Sequence, residues 1–266
     1  MTQRGAMIDL GHLRAAIVTA AANAGEGHIP SALSILDIVW VLYSRVLQTA
    51  PDDQFRDVFI LSKGHGCLAH YAVLKTMGYP IGSLGLFGQK ESKLGGHPDW
   101  RKVSGVEAST GSLGHGLAIG VGIATGMRLR NVKARTVVLV GDGECNEGSV
   151  WEAAMLAAHL QLKLTCIVDD NGSTNMGSIS AKFAACGWGT VDIGGHDHDQ
   201  IYDAVTAQEP GYPRAIIART VKGRGIERME SNPAWHHRAP DPIELEEILQ
   251  ELTLGQTHGT PTTSFR

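Results

Sequence analysis

The stretch Val137–Gly148, VVLVGDGECNEG, runs from an apolar segment straight into a Gly-Asp-Gly turn and carries three acidic residues. A second apolar run, Lys163–Gly172 (KLTCIVDDNG), ends in the same way on Asn171 and Gly172, 29 positions after Asp142. In a parallel sheet, ligands gather at the carboxyl ends of strands. Two such ends carrying oxygen-bearing side chains therefore read as two halves of one site. Consecutive strands of a βαβ unit are commonly neighbours, which would set Asp142 beside Asn171. A carboxylate, an amide oxygen and a main-chain carbonyl are hard donors suited to Mg²⁺ or Ca²⁺. Taken singly, Asp-Gly and Asn-Gly are also ordinary turn dipeptides. Their pairing at matched strand ends favours a site.

Outward from this pair the pattern alternates. Helices are expected over 9–24, 32–47, from the Gly-His loop of 55–66 to about Met77, and over 116–130, 149–160, 199–207 and 242–252. Strands are expected within 55–66 and over 136–141, 163–169, 190–195 and 214–220. Apolar strands alternating with helices predict an α/β fold, a doubly wound, mostly parallel sheet covered on both faces. No internal repeat or linker marks a second domain, so residues 1–252 read as one domain and 253–266 as a polar, flexible tail.

The 266 residues are 43% hydrophobic and 19% charged, with a formal net charge of −4. That balance supplies a core and argues against nucleic acid, which requires a basic face. Nothing reads as a signal peptide or a membrane span. The four cysteines are scattered without metal-ligand spacing, as expected of a reduced, cytoplasmic protein. The 33 glycines cluster in short loops, and those at 116, 120, 122 and 126 would weaken a helix unless close packing compensates. Four histidines in glycine-flanked loops, His28, His65, His97 and His115, suit a polar pocket where protons move near neutral pH. His12, His70, His159, His198, His237 and His258 read as ordinary surface or core histidines.

GDG followed by 27 residues and Asn resembles the thiamine-diphosphate motif, and the surrounding chain, roughly 10–250, is similar to the amino-terminal half of transketolases. GEGHIPSALS, LSKGHG, GGHP, GVEASTGSLGHG, VKGRG and NPAWH carry the resemblance in that order. It implies that Asp142, Asn171 and the Ser173 carbonyl hold Mg²⁺, for which Ca²⁺ or Mn²⁺ could substitute. It implies cofactor contacts from Ser31, His65, Gly143, Lys222 and His236, with Asn171 acting through the metal. Gly111, Ser112 and Leu113 would line the ring region, and His28, His97 and His236 would face sugar hydroxyls. Glu147 matches a glutamate at the family's subunit contact and is counted with His28, His97 and His236 among the catalytic residues the resemblance implies.

Two positions depart from the pattern: Asn175 stands where a residue packs on the cofactor, and Cys186 replaces an aromatic. The pyrimidine-binding and carboxy-terminal domains of full transketolases have no counterpart here. The resemblance therefore implies one subunit of a split enzyme, joined by a second polypeptide carrying those domains, with two copies of each. The reaction implied is transfer of a two-carbon ketol unit from a ketose to an aldose. The alternatives are a dihydroxyacetone or deoxyxylulose synthase-like activity, one chain of an oxoacid decarboxylase, and a non-catalytic partner.

Overall fold

The computed structural model describes residues 10–49, 56–207 and 213–255. Five strands, β1 (Val58–Leu61), β2 (Thr136–Gly141), β3 (Leu164–Asp170), β4 (Gly189–Gly194) and β5 (Arg214–Arg219), form one sheet in the order β1-β2-β3-β5-β4. Every pairing is parallel. The expected doubly wound α/β architecture is the one found, with β2 and β3 adjacent as the motif pair requires.

Side chains alternate across the sheet, as the pleat demands. Phe59, Val137, Leu139, Ile167 and Ile216 enter one core. There they meet α1 (Gly11–Ala24), α2 (Ile29–Val41), α3 (Cys67–Thr76), α7 (His198–Thr206) and α8 (Pro242–Gly255). Ile60, Val138, Val140, Cys166 and Ile217 enter the other, under α4 (His115–Leu129), α5 (Gly148–His159) and α6 (Ile179–Ala185).

Several element ends differ from expectation. α2 starts three residues early because Pro30 occupies its first turn, where a missing N–H costs nothing. It continues through a π-helical turn, Leu42–Val46. The resulting stretch Ile29–Val46 is long and apolar enough to cross a membrane by length and composition alone, and 83% of it is buried inside the protein, as in a core helix. β1 stops at Leu61, since Gly64–Gly66 form a tight turn. α8 runs to Gly255, past the expected boundary at 252, and the tail from 256 lies outside the described residues.

The glycine-rich α4 divides in two. A Cβ on Gly120 would come within 2.5 Å of Val138 Cγ2, and one on Gly116 within 2.3 Å of Ser62 Oγ. These two glycines let the helix lie against the sheet. Gly122 and Gly126 face open space.

Candidate functional site

The carboxyl ends of β2 and β3 are tied together by one hydrogen bond beyond the ladder, from Asp142 N–H to the Asp169 carbonyl (3.0 Å). Asp142 Oδ1 accepts from Gly143 N–H (2.7 Å), and Oδ2 accepts from Ser173 N–H (2.6 Å) and Thr174 N–H (3.3 Å). Burial pushes its carboxyl up from the ordinary range, partly offset by the Gly143 amide. Asn171 Nδ2 donates to Asp169 Oδ2 (2.8 Å), so Asn171 Oδ1 turns toward Ser173, whose hydroxyl donates to it at 2.5 Å. Lys222 Nζ donates to Ser173 Oγ (3.1 Å) and lies 3.2 Å from His236 Nδ1. Burial, then the neighbouring Lys63, lowers the Lys222 pKa. Among the described residues Lys222 has no carboxylate within ion-pair distance.

Gly143 borders open space, its nearest neighbour being Ser173 Cβ, 3.9 Å from where a Cβ would stand. Ser31 Oγ, on α2, is buried and has no hydrogen-bond partner among the described residues. A lysine without a carboxylate partner and an orphaned hydroxyl fit a polyanion, which offers acceptors to both, and the uncrowded Gly143 leaves room beside them. Among the described residues no group of three or more His, Cys, Asp or Glu could hold a metal by itself. The donors of Asp142, Asn171 and a main-chain carbonyl are all oxygen, and a set this small suits Mg²⁺ completed by phosphate oxygens.

The segment carrying Lys222 is held from behind. Asp37, buried on α2, accepts from Arg14 (3.3 Å), His196 Nδ1 (2.9 Å) and His198 Nε2 (2.9 Å). Val221 N–H donates to His196 Nε2 (2.9 Å), which places the His196 proton on Nδ1. Gly223 N–H donates to the Pro30 carbonyl (3.0 Å). Burial alone would raise the Asp37 carboxyl, but its bonds to His196 and His198, with Arg14, hold it well below the usual range.

Beside this end lies a cavity of about 270 Å³ lined by His28, His65, His97, His237 and Glu26, among others. The His28 ring centroid is 5.3 Å from that of His65, 5.5 Å from His236 and 4.4 Å from His237. Burial, then the neighbouring histidines, lowers His28 to about 4. Burial, then Lys63, lowers His65 to about 2. Both are neutral at pH 7, each offering one donor and one acceptor. His97 rests on Gly111, where a Cβ would stand 2.9 Å from its ring and where φ is +146°. A Cβ on Gly64 would stand 2.9 Å from Gly111 N, so these two loops meet backbone to backbone.

The structure thus brings together Asp142, Gly143, Asn171, Ser173, Lys222 and His236 at the strand ends, and His28, His65 and His97 at the cavity. Gly111 joins them, whereas Ser112 is exposed and Leu113 half-buried on the following turn. Glu147 is exposed at the start of α5, packed over Gly114, and does not line the cavity. His115 is exposed at the start of α4 and is likewise absent from the lining. His237, read from sequence as ordinary, takes its place. The signal lay in the run Trp235-His236-His237-Arg238: Trp235 is buried with Arg238 stacked on it at 4.1 Å, leaving both histidines outside. Glu26, Lys63, Glu144 and Asp169 were also unassigned. Glu144 is buried and accepts from Ser62 Oγ (2.5 Å), Gly114 N–H (2.8 Å) and Gly141 N–H (3.1 Å).

Residues 6–257 match the family described as transketolase, thiamine diphosphate binding domain. The chain is 38% identical to a subunit of the apulose-4-phosphate transketolase of Actinobacillus succinogenes, over 90% of this chain and 93% of that one. It is 35% identical to the 6-deoxy-6-sulfo-D-fructose transketolase subunit SqwG of a Clostridium species, over 80% and 83% respectively. Among solved structures, the transketolase of Campylobacter jejuni superposes with a TM-score of 0.84 at 28% identity, covering 94% of this chain and 42% of that one. The chain therefore spans less than half the length of the solved transketolases it matches. With that match across most of its length, on a parallel sheet whose second and third strands end on Asp142 and Asn171, the chain belongs to the thiamine diphosphate binding domain family of transketolases.

Proposed function

We propose that this chain is one subunit of a two-chain transketolase that uses thiamine diphosphate and Mg²⁺ to move a two-carbon ketol unit from a ketose to an aldose. The observation that carries this reading is the coverage: the chain matches a protein named as a transketolase subunit over 93% of its length, but a full transketolase over only 42%.

When bound, thiamine diphosphate supplies the carbon nucleophile and the electron sink for breaking and remaking a carbon–carbon bond. Asp142, Asn171 and the Ser173 carbonyl hold the Mg²⁺ ion. Lys222, Ser31, His65, His236 and Gly143 would contact the cofactor, mainly its diphosphate, while Gly111, Ser112 and Leu113 would border the ring region. His28, His97 and His236 hydrogen-bond the sugar hydroxyls. The neutrality of His28 lets it take a hydroxyl proton without first losing one. Glu147 faces the subunit contact rather than the reacting atoms.

The partner carries the pyrimidine-binding and carboxy-terminal domains, with two copies of each chain in the assembly. The exposed apolar side chains of the packed helices α4 and α5, including Ile119, Met155 and Leu156, support a docking face there. Four unpaired cysteines support a cytoplasmic setting.

Ketol transfer is expected from this chain only when the partner chain is added, with formation of a larger complex by light scattering. Robust turnover by this chain alone would overturn the two-chain reading.

A further inference from the structure

The LSKGHG motif supplies His65 and the close-packed Gly64, but its lysine has so far had no role. Lys63 is 1% exposed, and its ammonium is ion-paired with Asp169, which is 0% exposed. The same Asp169 Oδ2 accepts from Ser34 Oγ (2.8 Å) and Asn171 Nδ2 (2.8 Å), and Oδ1 accepts from Thr220 Oγ1. The Asp169 carbonyl accepts from Asp142 N–H. One residue therefore touches α2, the turn after β1, the end of β5 and two of the proposed cation ligands, Asp142 and Asn171.

A well-packed apolar pair could fill such a position without loss of stability, so the charge pair is not explained by stability alone. Its geometry suggests a second role. An asparagine amide has two faces, and only its oxygen can ligate a cation. A carboxylate accepts only, so Asp169 takes the amide NH₂ and turns Asn171 Oδ1 outward. A flipped amide would set oxygen against oxygen and present N–H groups to the cation. We propose that Asp169, charge-paired with Lys63, is the positioning residue that fixes the Asn171 amide oxygen-outward and so presets the two-strand cation site. This inference rests on the proposed Mg²⁺–thiamine-diphosphate reading.

The test is calorimetric binding of thiamine diphosphate across a Mg²⁺ series, on the chain assembled with its partner. It compares the native protein, Asp169→Asn, Asn171→Asp and the two combined. An amide at position 169 offers one acceptor atom to four donors, so Asp169→Asn should raise the Mg²⁺ requirement about 10- to 100-fold, the usual cost of losing an outer-shell partner. In the Asn171→Asp background there is no amide to orient, and Asp169→Asn should cost little or help by relieving two facing carboxylates. Equal losses in both backgrounds would show a merely structural role and overturn the proposal. If Asp169→Asn does not fold, Lys63→Met with Asp169→Asn removes the unpaired ammonium. A restored Tm with a raised Mg²⁺ requirement then supports orientation, and a restored Tm with a native requirement overturns it. Mg²⁺-independent binding by the native protein would overturn the functional reading and this inference with it.

Discussion

Ser31→Ala and Ser34→Ala, both within α2, are expected to move stability in opposite directions. Ser31 Oγ is buried without a partner among the described residues, and a buried, unbonded hydroxyl costs ~1–3 kcal/mol by protein mutational data. Ser34 Oγ donates to the Asp169 carboxylate at 2.8 Å, a bond to a charged group of ~1.5–3 kcal/mol. The gain in helix propensity on replacing serine by alanine is common to both and cancels in the comparison. The two variants should therefore differ by roughly 2.5–6 kcal/mol. At ~2–4 °C per kcal/mol for a chain of this size, Ser31→Ala should melt at least about 5 °C above Ser34→Ala when thiamine diphosphate is absent. With cofactor and Mg²⁺ present, substitution removes the Ser31 hydroxyl's bond to the anionic diphosphate, a bond to a charged group of ~1.5–3 kcal/mol, so affinity should fall roughly 13- to 160-fold. Differential scanning calorimetry and a binding isotherm read both quantities. A cofactor-free Ser31→Ala that melts as low as Ser34→Ala would show that the hydroxyl is already bonded and would refute the reasoning.

Asp142→Ala should abolish Mg²⁺-dependent thiamine-diphosphate binding while leaving the fold, because its three donors are amides of the loops that follow β2 and β3; calorimetry showing native affinity would remove it from the site. His28→Ala and His97→Ala should lower turnover roughly 10²–10⁴-fold while sparing cofactor affinity, and native kinetics in both would place them outside the chemistry. Stability should also fall on the acid side. Unfolded His28 takes up a proton near its ordinary 6.5 and the folded residue only near about 4, so the unfolded state binds more protons between those values and stability drops as pH falls through that window. His28→Gln should flatten that limb in denaturant melts at stepped pH, and an unchanged slope would show that His28 is not buried neutral.

The fold was legible where local chemistry and topology agree. Asp142-Gly143 and Asn171-Gly172 mark strand ends, and a single helix between them makes β2 and β3 neighbours, as found. The insertion of β5 between β3 and β4 left no such mark, since that pairing arises from long-range packing rather than from any local pattern. At the site, glycine-flanked loops singled out His28, His65 and His97, which line the cavity, and also His115, which begins a helix and is absent from that lining. Lys63, Glu144 and Asp169 were illegible because charged residues inside apolar or turn segments look like strand punctuation. Only the burial of all three and their shared bonds to strand ends reveal what they hold.

The Asp37 cluster has a consequence for the order in which the chain can fold. Asp37 reaches His196 and His198 across sequence separations of 159 and 161, and Arg14 spans 210 to the Arg224 carbonyl. None of these partners exists for a nascent chain that has emerged only as far as β3. Until β4 and β5 arrive, Asp37 has only Arg14 to meet it, and the Lys222 segment, which follows β5, is itself absent. Closing such distant contacts carries the loop-entropy cost that slows folding. The end of the domain that carries Lys222 is therefore built last. Its maturation in refolding should lag behind that of the β1–β3 half of the sheet, so that a binding-competent chain appears later than a merely folded-looking one.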